Sequence, residues 1–402
     1  MRGRAQNAIA ECLRLAEYTE EPGRITRRFL TEPMHAVHDR LRKRMTELGM
    51  SVTVDAVGNM RGLWEPEGAS RKRLIIASHV DTVPHAGAYD GVLGVCLGLE
   101  LVQNAKERKH PLAIEVIAFS EEEGVRFGVP FIGSRAVASR FDPALLALKD
   151  ADGITLESAI RNYGLDPARI ADAALDQNTA AMLEIHIEQG PVLEAEGLSV
   201  AAVTDIVGQT RMSLRFAGHA NHAGTTPMHL RHDALAGAAE WIAAVERIAR
   251  DTEGLIATVG KIEIEPNAAN VVPGVAAVSL DLRYSSDPAR AAALETLLAR
   301  AGEIADRRGL ALESKRLMDQ PAVPMDERLT AFLVEAMEAL DLPPKSMPSG
   351  AGHDAMVMAA KVPAAMLFLR SPGGISHHPD EAVREIDVEN ALRVAASFLE
   401  RL

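Results

Sequence analysis

Four short apolar runs, each ending in a cluster of His, Asp or Glu, constrain this chain more than any other feature. The first is Leu74-Ile75-Ile76-Ala77, followed by Ser78-His79-Val80-Asp81. The second is Ala113-Ile114-Glu115-Val116-Ile117-Ala118-Phe119, followed by Ser120-Glu121-Glu122-Glu123-Gly124. The third is Ala181-Met182-Leu183-Glu184-Ile185-His186-Ile187, broken by Glu188-Gln189-Gly190-Pro191. The fourth runs from Ala364 to Leu369, with Gly373-Gly374-Ile375-Ser376-His377-His378-Pro379 behind it. Such runs are too short for helices, and their apolar character is that of strands buried on both faces of a sheet. With helical stretches between them they predict an α/β fold: a mixed, mostly parallel sheet flanked by helices. Open α/β sheets collect their chemistry at the carboxyl ends of strands, where all four polar clusters fall.

At 402 residues the chain exceeds what one hydrophobic core usually organises, so about two domains are expected. Helical periodicity covers 6–20 and 33–49, the second started by Thr31-Glu32-Pro33 and ended by Gly49. Ser51 to Asp55 and Met60 to Trp64 read as strands around a Gly58-Asn59 turn. Gly91 to Leu101 reads as a buried helix with Asp90 as its cap, and 142–180 as Ala-rich and helical, with Asp166-Pro167 opening a further short helix. The pattern changes near Asp205-Ile206-Val207-Gly208. A strand (210–217), a loop (218–227), a helix (232–250), strands near 256–264 and 275–284 and a helix (287–309) make an α+β layer with an antiparallel sheet. The expected division is a discontinuous catalytic domain, 1–207 and 321–402, with 208–320 inserted and hinges at Val207-Gly208 and Gln320-Pro321. Helices at 326–340 and 387–401 complete the first domain.

A formal net charge of −13 argues against nucleic acid or an anionic membrane as partner, and leaves room for a small anionic substrate held by a local Arg. Cys12 and Cys96 are the only cysteines, so neither a disulfide framework nor a cysteine zinc site is implied. There is no apolar run of membrane-spanning length and no hydrophobic signal core behind Met1-Arg2-Gly3-Arg4, and a cytoplasmic location is expected.

The four strand ends offer His79, Asp90, Glu122 or Glu123, His186 and His377. Imidazoles with two carboxylates suit zinc, or manganese or cobalt, and make a poor magnesium site. Five ligands, one a carboxylate able to bridge, suit two divalent metal ions about 3.5–4 Å apart. Asp81 lies within reach of the second ring nitrogen of His79, where a carboxylate would fix the tautomer. Of two adjacent Glu residues, one as ligand and one as general base is the economical split. The segment Gly218-His219-Ala220-Asn221-His222-Ala223-Gly224-Thr225-Thr226-Pro227-Met228 is dense in donors suited to an oxyanion.

The stretches SHVDTVPHAGAYDGVLGV, FSEEEGVRFG, EIHIEQGPVLE, GHANHAGTTPM, NVVPG, DLR, SGAGHDA and GISHHPDE, spread over residues 78–381, resemble a di-zinc amidohydrolase family. That family includes allantoate amidohydrolases, N-carbamoyl-L-amino-acid hydrolases and β-ureidopropionases, and is related to aminoacylases and zinc carboxypeptidases. The resemblance implies a zinc-exopeptidase-like catalytic domain with an inserted lid and dimerisation domain. It implies that His79, Asp90 and His186 hold one metal, or that the two His divide between metals bridged by Asp90, while Asp90, Glu123 and His377 hold the other. By the same resemblance Glu122 is the general base, with Glu121 the neighbour one residue off, and His222 is an oxyanion donor offered across a homodimer interface. Asn270 and Arg283 match positions that bind a substrate carboxylate, the alternative for Arg283 being an ion pair with Asp281. Gln189 and Gln209 match substrate contacts, and His353 and Asp354 read as active-site wall. The implied activity is metal-dependent hydrolysis of a C–N bond in a small anionic ureido acid. Allantoate stands ahead of N-carbamoyl-L-amino acids, β-ureidopropionate and ureidoglycolate. An aminoacylase or peptidase, and a non-catalytic binding protein, are remoter alternatives.

Overall fold

Each of the four apolar runs forms a strand, and the four lie side by side. The computed structural model describes residues 1–68 and 72–402. It divides into two compact units, Met1–Thr204 with Pro324–Leu402, and Asp205–Val323. The sequence-based junctions were 207/208 and 320/321.

The first unit opens with helices α1 (Arg2–Ala16) and α2 (Glu32–Glu47), strands β1 (Ser51–Val54), β2 (Met60–Trp64) and β3 (Arg73–His79), helix α3 (Val92–Arg108) and strand β4 (Ala113–Phe119). Then come α4 (Ile132–Val137), α5 (Leu156–Asn162), β5 (Thr179–Ile187), α6 (Val192–Ala195) and β6 (Val200–Ile206). Here one expectation holds only in part: the short helix opening at Asp166-Pro167 is present, as a 3-10 segment, but continuous helix is not. The Ala-rich stretch 142–180 holds only α5 between two 3-10 segments, Pro143–Ala147 and Pro167–Ala173. Asp142 and Asp166 each accept from the backbone two residues on, and each precedes a Pro. These local turns compete with a continuous helix and interrupt it.

The second unit contains β7 (Gly208–Ala217), β8 (Asn221–His222), α7 (Ala234–Arg250), β9 (Ile256–Thr258), β10 (Ile262–Glu265), β11 (Val271–Val272), β12 (Val275–Tyr284), α8 (Asp287–Arg308) and β13 (Ala311–Gln320). The chain ends with β14 (Val323–Pro324), α9 (Glu327–Glu338), β15 (Ser346–Ser349), α10 (Asp354–Met358), β16 (Ala364–Leu369) and α11 (Glu385–Leu399).

The large sheet runs in the order β1-β2-β4-β3-β5-β16-β6-β14, with β15 paired to β6. Its central pairs, β4 with β3, β3 with β5 and β5 with β16, are parallel. Outside them β1–β2, β2–β4 and β16–β6 are antiparallel. The fold is the mixed, mostly parallel α/β architecture expected. Leu74, Ile75 and Ile76 are buried to within 1% of full exclusion, each contributing roughly 1.5–3 kcal/mol of transfer free energy. Helix α3 packs so close to the sheet that a Cβ on Gly94 would stand 2.1 Å from the Ile185 carbonyl oxygen. A buried two-pronged ion pair, Arg370 Nε to Asp387 Oδ2 at 2.8 Å and Nη2 to Oδ1 at 2.7 Å, ties the exit of β16 to α11.

In the second unit β10-β12-β7-β13, with β9 on β12, form a five-stranded sheet. Alternate residues of β7 and β12 are buried, the period of a sheet with one face on a core. Trp241 of α7 is wholly buried and its indole N–H donates to the Leu297 carbonyl of α8 at 2.9 Å. The single strand expected near 256–264 is two, β9 and β10. Among the described residues no helix is long and apolar enough to cross a membrane.

Candidate metal centre

The parallel strands β4, β3, β5 and β16 are consecutive in the sheet, and each delivers donors at its carboxyl end. Strand β3 ends on His79 and β5 carries His186 one residue from its end. Glu121 to Glu123 follow β4, and His377 follows β16. Three overlapping groups result: His79, Asp90 and His186; His79, Glu122 and Glu123; Asp90, Glu123 and His377, with the donor atoms of each group within 4.8 Å of one another. Asp90 Oδ1 lies 3.1 Å from His186 Nε2 and 3.7 Å from His79 Nε2, while Oδ2 lies 3.1 Å from His377 Nε2. One carboxylate therefore turns an oxygen to each of two donor groups. Glu122 Oε2 stands 3.9 Å from His79 Nε2, and Glu123 Oε1 3.6 Å from His377 Nε2.

The turn after β4 decides which Glu faces the imidazoles. Glu121 adopts a φ of 51°, and its Oε1 accepts from the backbone N–H groups of Arg126 (2.9 Å) and Phe127 (3.2 Å). It closes the turn, which leaves Glu122 and Glu123 for the site. Asp81 accepts from the N–H groups of both, each at 3.1 Å. This corrects the reading of Asp81 as the carboxylate partner of His79. His79 Nδ1 donates instead to the Asp81 backbone carbonyl at 3.0 Å, with the Asp81 carboxylate 3.8 Å away. The carboxylate is drawn off by two backbone donors that would otherwise be buried unmatched.

His186 Nδ1 likewise donates to a carbonyl, that of Ile187, at 2.8 Å. A carbonyl can only accept, so in the neutral rings Nε2 of His79 and of His186 presents a lone pair to the site, the form that ligates metal. A second correction concerns Asp90. Helix α3 starts at Val92 behind Gly91, with no side-chain cap, because the Asp90 carboxylate is turned to the imidazoles.

Charge and burial are in tension here. Burial pushes the Glu122 carboxyl well above its usual range and Glu123 up to about 7. Burial would lower the His79 ring, but Glu122, Asp90 and Asp81 more than reverse this and hold it well above the usual imidazole range. Asp90 Oδ1 is buried with no donor aligned on it. A cation that displaces the Nε2 proton of His79 would answer the buried acids, the unmatched acceptor and both imidazoles, so this donor set fits divalent metal.

Gln189 sits inside the cluster, its Nε2 donating to Asp90 Oδ2 at 3.0 Å. His353 and Asp354 are buried. The His353 ring meets His186 edge-on at 4.5 Å, with Nε2 2.9 Å from Ser349 Oγ. Sequence reasoning missed Glu381 and Ser376, although both lie in the GISHHPDE stretch. Glu381 accepts from the N–H groups of Tyr89 and Asp90, and Ser376 Oγ reaches the Asp90 carboxylate.

The second unit holds the remaining candidates in two groups. His222 is exposed on β8, paired with Val271 of β11, and the Asn270 carbonyl accepts from Ala223 at 2.9 Å. His222 Nδ1 accepts from Gly224 (3.0 Å) and Thr225 (3.2 Å), so in the neutral ring Nε2 carries the proton. Arg283 and Gln209 face each other across β12 and β7. Arg283 donates to Asp281 from Nε (2.8 Å) and Nη2 (3.1 Å), and Gln209 Nε2 donates to the same carboxylate at 2.6 Å. The ion pair weighed for Arg283 is thus present, and the Gln209 amide is turned to it. Arg283 stands near one end of the 10-residue strand β12 and the β8–β11 pair joins at the other, roughly 30 Å away along the strand.

Residues 75–401 match the family model described as peptidase family M20/M25/M40. An N-carbamoyl-L-amino acid amidohydrolase of Geobacillus stearothermophilus is 39% identical over 92% of this chain and 91% of its own. An allantoate deiminase of Arabidopsis thaliana is 36% identical over 98% of this chain and 81% of its own. A solved amidase of the hydantoinase/carbamoylase family from Burkholderia multivorans superposes with a TM-score of 0.92 at 32% identity, over 99% of this chain and 97% of that one.

Proposed function

Since this chain belongs to peptidase family M20/M25/M40, we propose that it hydrolyses a C–N bond of a small anionic ureido acid. It is a hydrolase of C–N amide bonds, like its amidohydrolase relatives. The ureido substrate, and two metals held by His79, Asp90, Glu123, His186 and His377, are the finer reading. The observation that carries it is the set of three imidazoles on the two oxygens of one buried carboxylate, with Glu122 beside them. Zinc is the first choice of metal, and manganese or cobalt the next. Allantoate is the first reading of the substrate. An N-carbamoyl-L-amino acid is the second, favoured by the 39% relative that carries that name.

Metal at these positions would polarise the ureido carbonyl and acidify the attacking water. Glu122 takes the proton of that water. The same carboxyl then passes that proton to the leaving nitrogen. Water adds to the carbonyl carbon, the bond to the terminal nitrogen breaks, ammonia leaves, and the remaining carbamate loses carbon dioxide. His222 Nε2 donates to the oxygen on which charge develops, from a neighbouring copy in a homodimer. The Arg283 fork, aligned by Asp281, pairs with the substrate carboxylate. Asn270, Gln189 and Gln209 complete the proposed contacts.

The test is ammonia release from allantoate, ureidoglycolate, N-carbamoyl-L-amino acids and β-ureidopropionate by chelator-stripped protein, before and after adding zinc, manganese or cobalt. Metal-dependent release from a ureido acid is expected. Preferential hydrolysis of N-acyl amino acids or dipeptides would overturn the reading.

A further inference from the structure

Asp90 lies in the link between β3 and α3, outside any regular element. Its backbone N–H and its Oδ2 are both bonded from one short segment, residues 376–381, and Gln189 Nε2 also donates to Oδ2 at 3.0 Å. Glu381 Oε1 accepts from the N–H of Tyr89 at 2.8 Å and of Asp90 at 3.0 Å. Ser376 Oγ stands 3.0 Å from Asp90 Oδ2 and 3.3 Å from Glu381 Oε2. Glu381 is buried and interlocks with the Asp90 link, since a Cβ on Gly87 would fall 2.3 Å from the Glu381 Cβ. The same segment carries His377, whose Nε2 is 3.1 Å from Asp90 Oδ2.

We infer that Glu381 is a positioning residue for the metal centre. It fixes the main chain of Asp90, and by sharing the single Ser376 hydroxyl proton with Asp90 Oδ2 it fixes, together with the Gln189 amide, the rotation of the Asp90 carboxylate, so that one oxygen faces each donor group. The inference rests on the reading of Asp90 as the residue shared by two metals. Ordering of the 376–381 segment and of Asp90 is then one event. Loss of Glu381 must weaken both metal positions, whereas loss of His377 removes a ligand from one.

The experiment is cobalt(II) titration of the metal-free full-length chain, followed by visible absorption, with metal content measured after gel filtration. Wild type is expected to take up two ions per chain. Glu381→Ala should bind both roughly ten- to a hundredfold more weakly, the range for residues that orient metal ligands, with an altered spectrum. In Glu381→Gln the amide oxygen still accepts from both N–H groups, so this variant should stay within about threefold of wild type. His377→Ala should lose one ion and keep the other. Wild-type affinity and spectrum in Glu381→Ala would overturn the inference and leave the Asp90 reading standing. Failure of wild type to bind two ions, or unaltered binding by Asp90→Ala, would overturn the reading of the centre itself. Should Glu381→Ala not fold, Ser376→Ala carries the test, and an unchanged affinity and spectrum there overturns the inference.

Discussion

Asp81 shows how far residue types alone can be read. Its closeness to His79 was legible, because two residues of chain bring a carboxylate near the ring whatever the detail. Which atom answers the ring was not, since that depends on the backbone path after β3. The carboxylate organises the neighbouring turn instead, through Glu122 and Glu123. Asp81→Asn sets an amide N–H₂ against one of those two donors. We expect a loss of about 1–3 kcal/mol of stability and a fall in turnover of roughly ten- to a hundredfold, read by urea denaturation and ammonia release. Wild-type turnover in the Asn variant would show that the turn holds its place without this carboxylate. The three-Glu run is the same lesson in another form. The residues are chemically identical in sequence, and only the left-handed backbone at Glu121 separates the turn residue from the pair that faces the imidazoles.

At the scale of elements, the central strands were the most legible because they are buried on both faces and carry little else. Stretch 142–180 was the least, because Ala content argues for helix while Asp-Pro pairs start turns at Asp142 and Asp166. Helix α3 tests the packing argument. Gly94→Ala forces a methyl against the Ile185 carbonyl, and overpacking of this kind costs about 1–3 kcal/mol or more. The midpoint of urea unfolding should fall accordingly, and an unshifted midpoint would mean the helix can slide away at no cost. The junction of α2 with α5 carries a pH signature. His38 is buried, its Nδ1 is 3.0 Å from the Tyr163 hydroxyl, and burial lowers the ring to about 4 from 6.5. A folded-state value below the unfolded one stabilises above pH 6.5, and that contribution is lost as pH falls toward about 4. The shift amounts to about 3 kcal/mol. In His38→Gln the acid limb of the stability–pH curve should flatten by about that amount. An unchanged limb would exclude His38 as its source.

For the whole molecule, the inserted unit was legible as a strand-helix-strand-strand-helix pattern that begins where the chain changes character, near Asp205–Gly208. The separation of its candidate residues into two groups was not, because it depends on the length and path of β12. That separation supports a His222 that serves a neighbouring copy. Co-refolding Glu122→Gln with His222→Ala should restore about a quarter of wild-type activity, since half the dimers would pair unlike chains and each of these holds one intact site. No recovery would place both residues in one chain's site. The cluster of buried acids around Asp90 has one more consequence, by mass action. A cation that binds the folded chain and not the unfolded one adds about 4 kcal/mol at a thousandfold excess over its Kd. Chelation should therefore lower the melting temperature and speed cleavage by an added protease, and equal digestion rates with and without chelator would deny the coupling. Metal supply would then set how long each molecule survives as well as how fast it works.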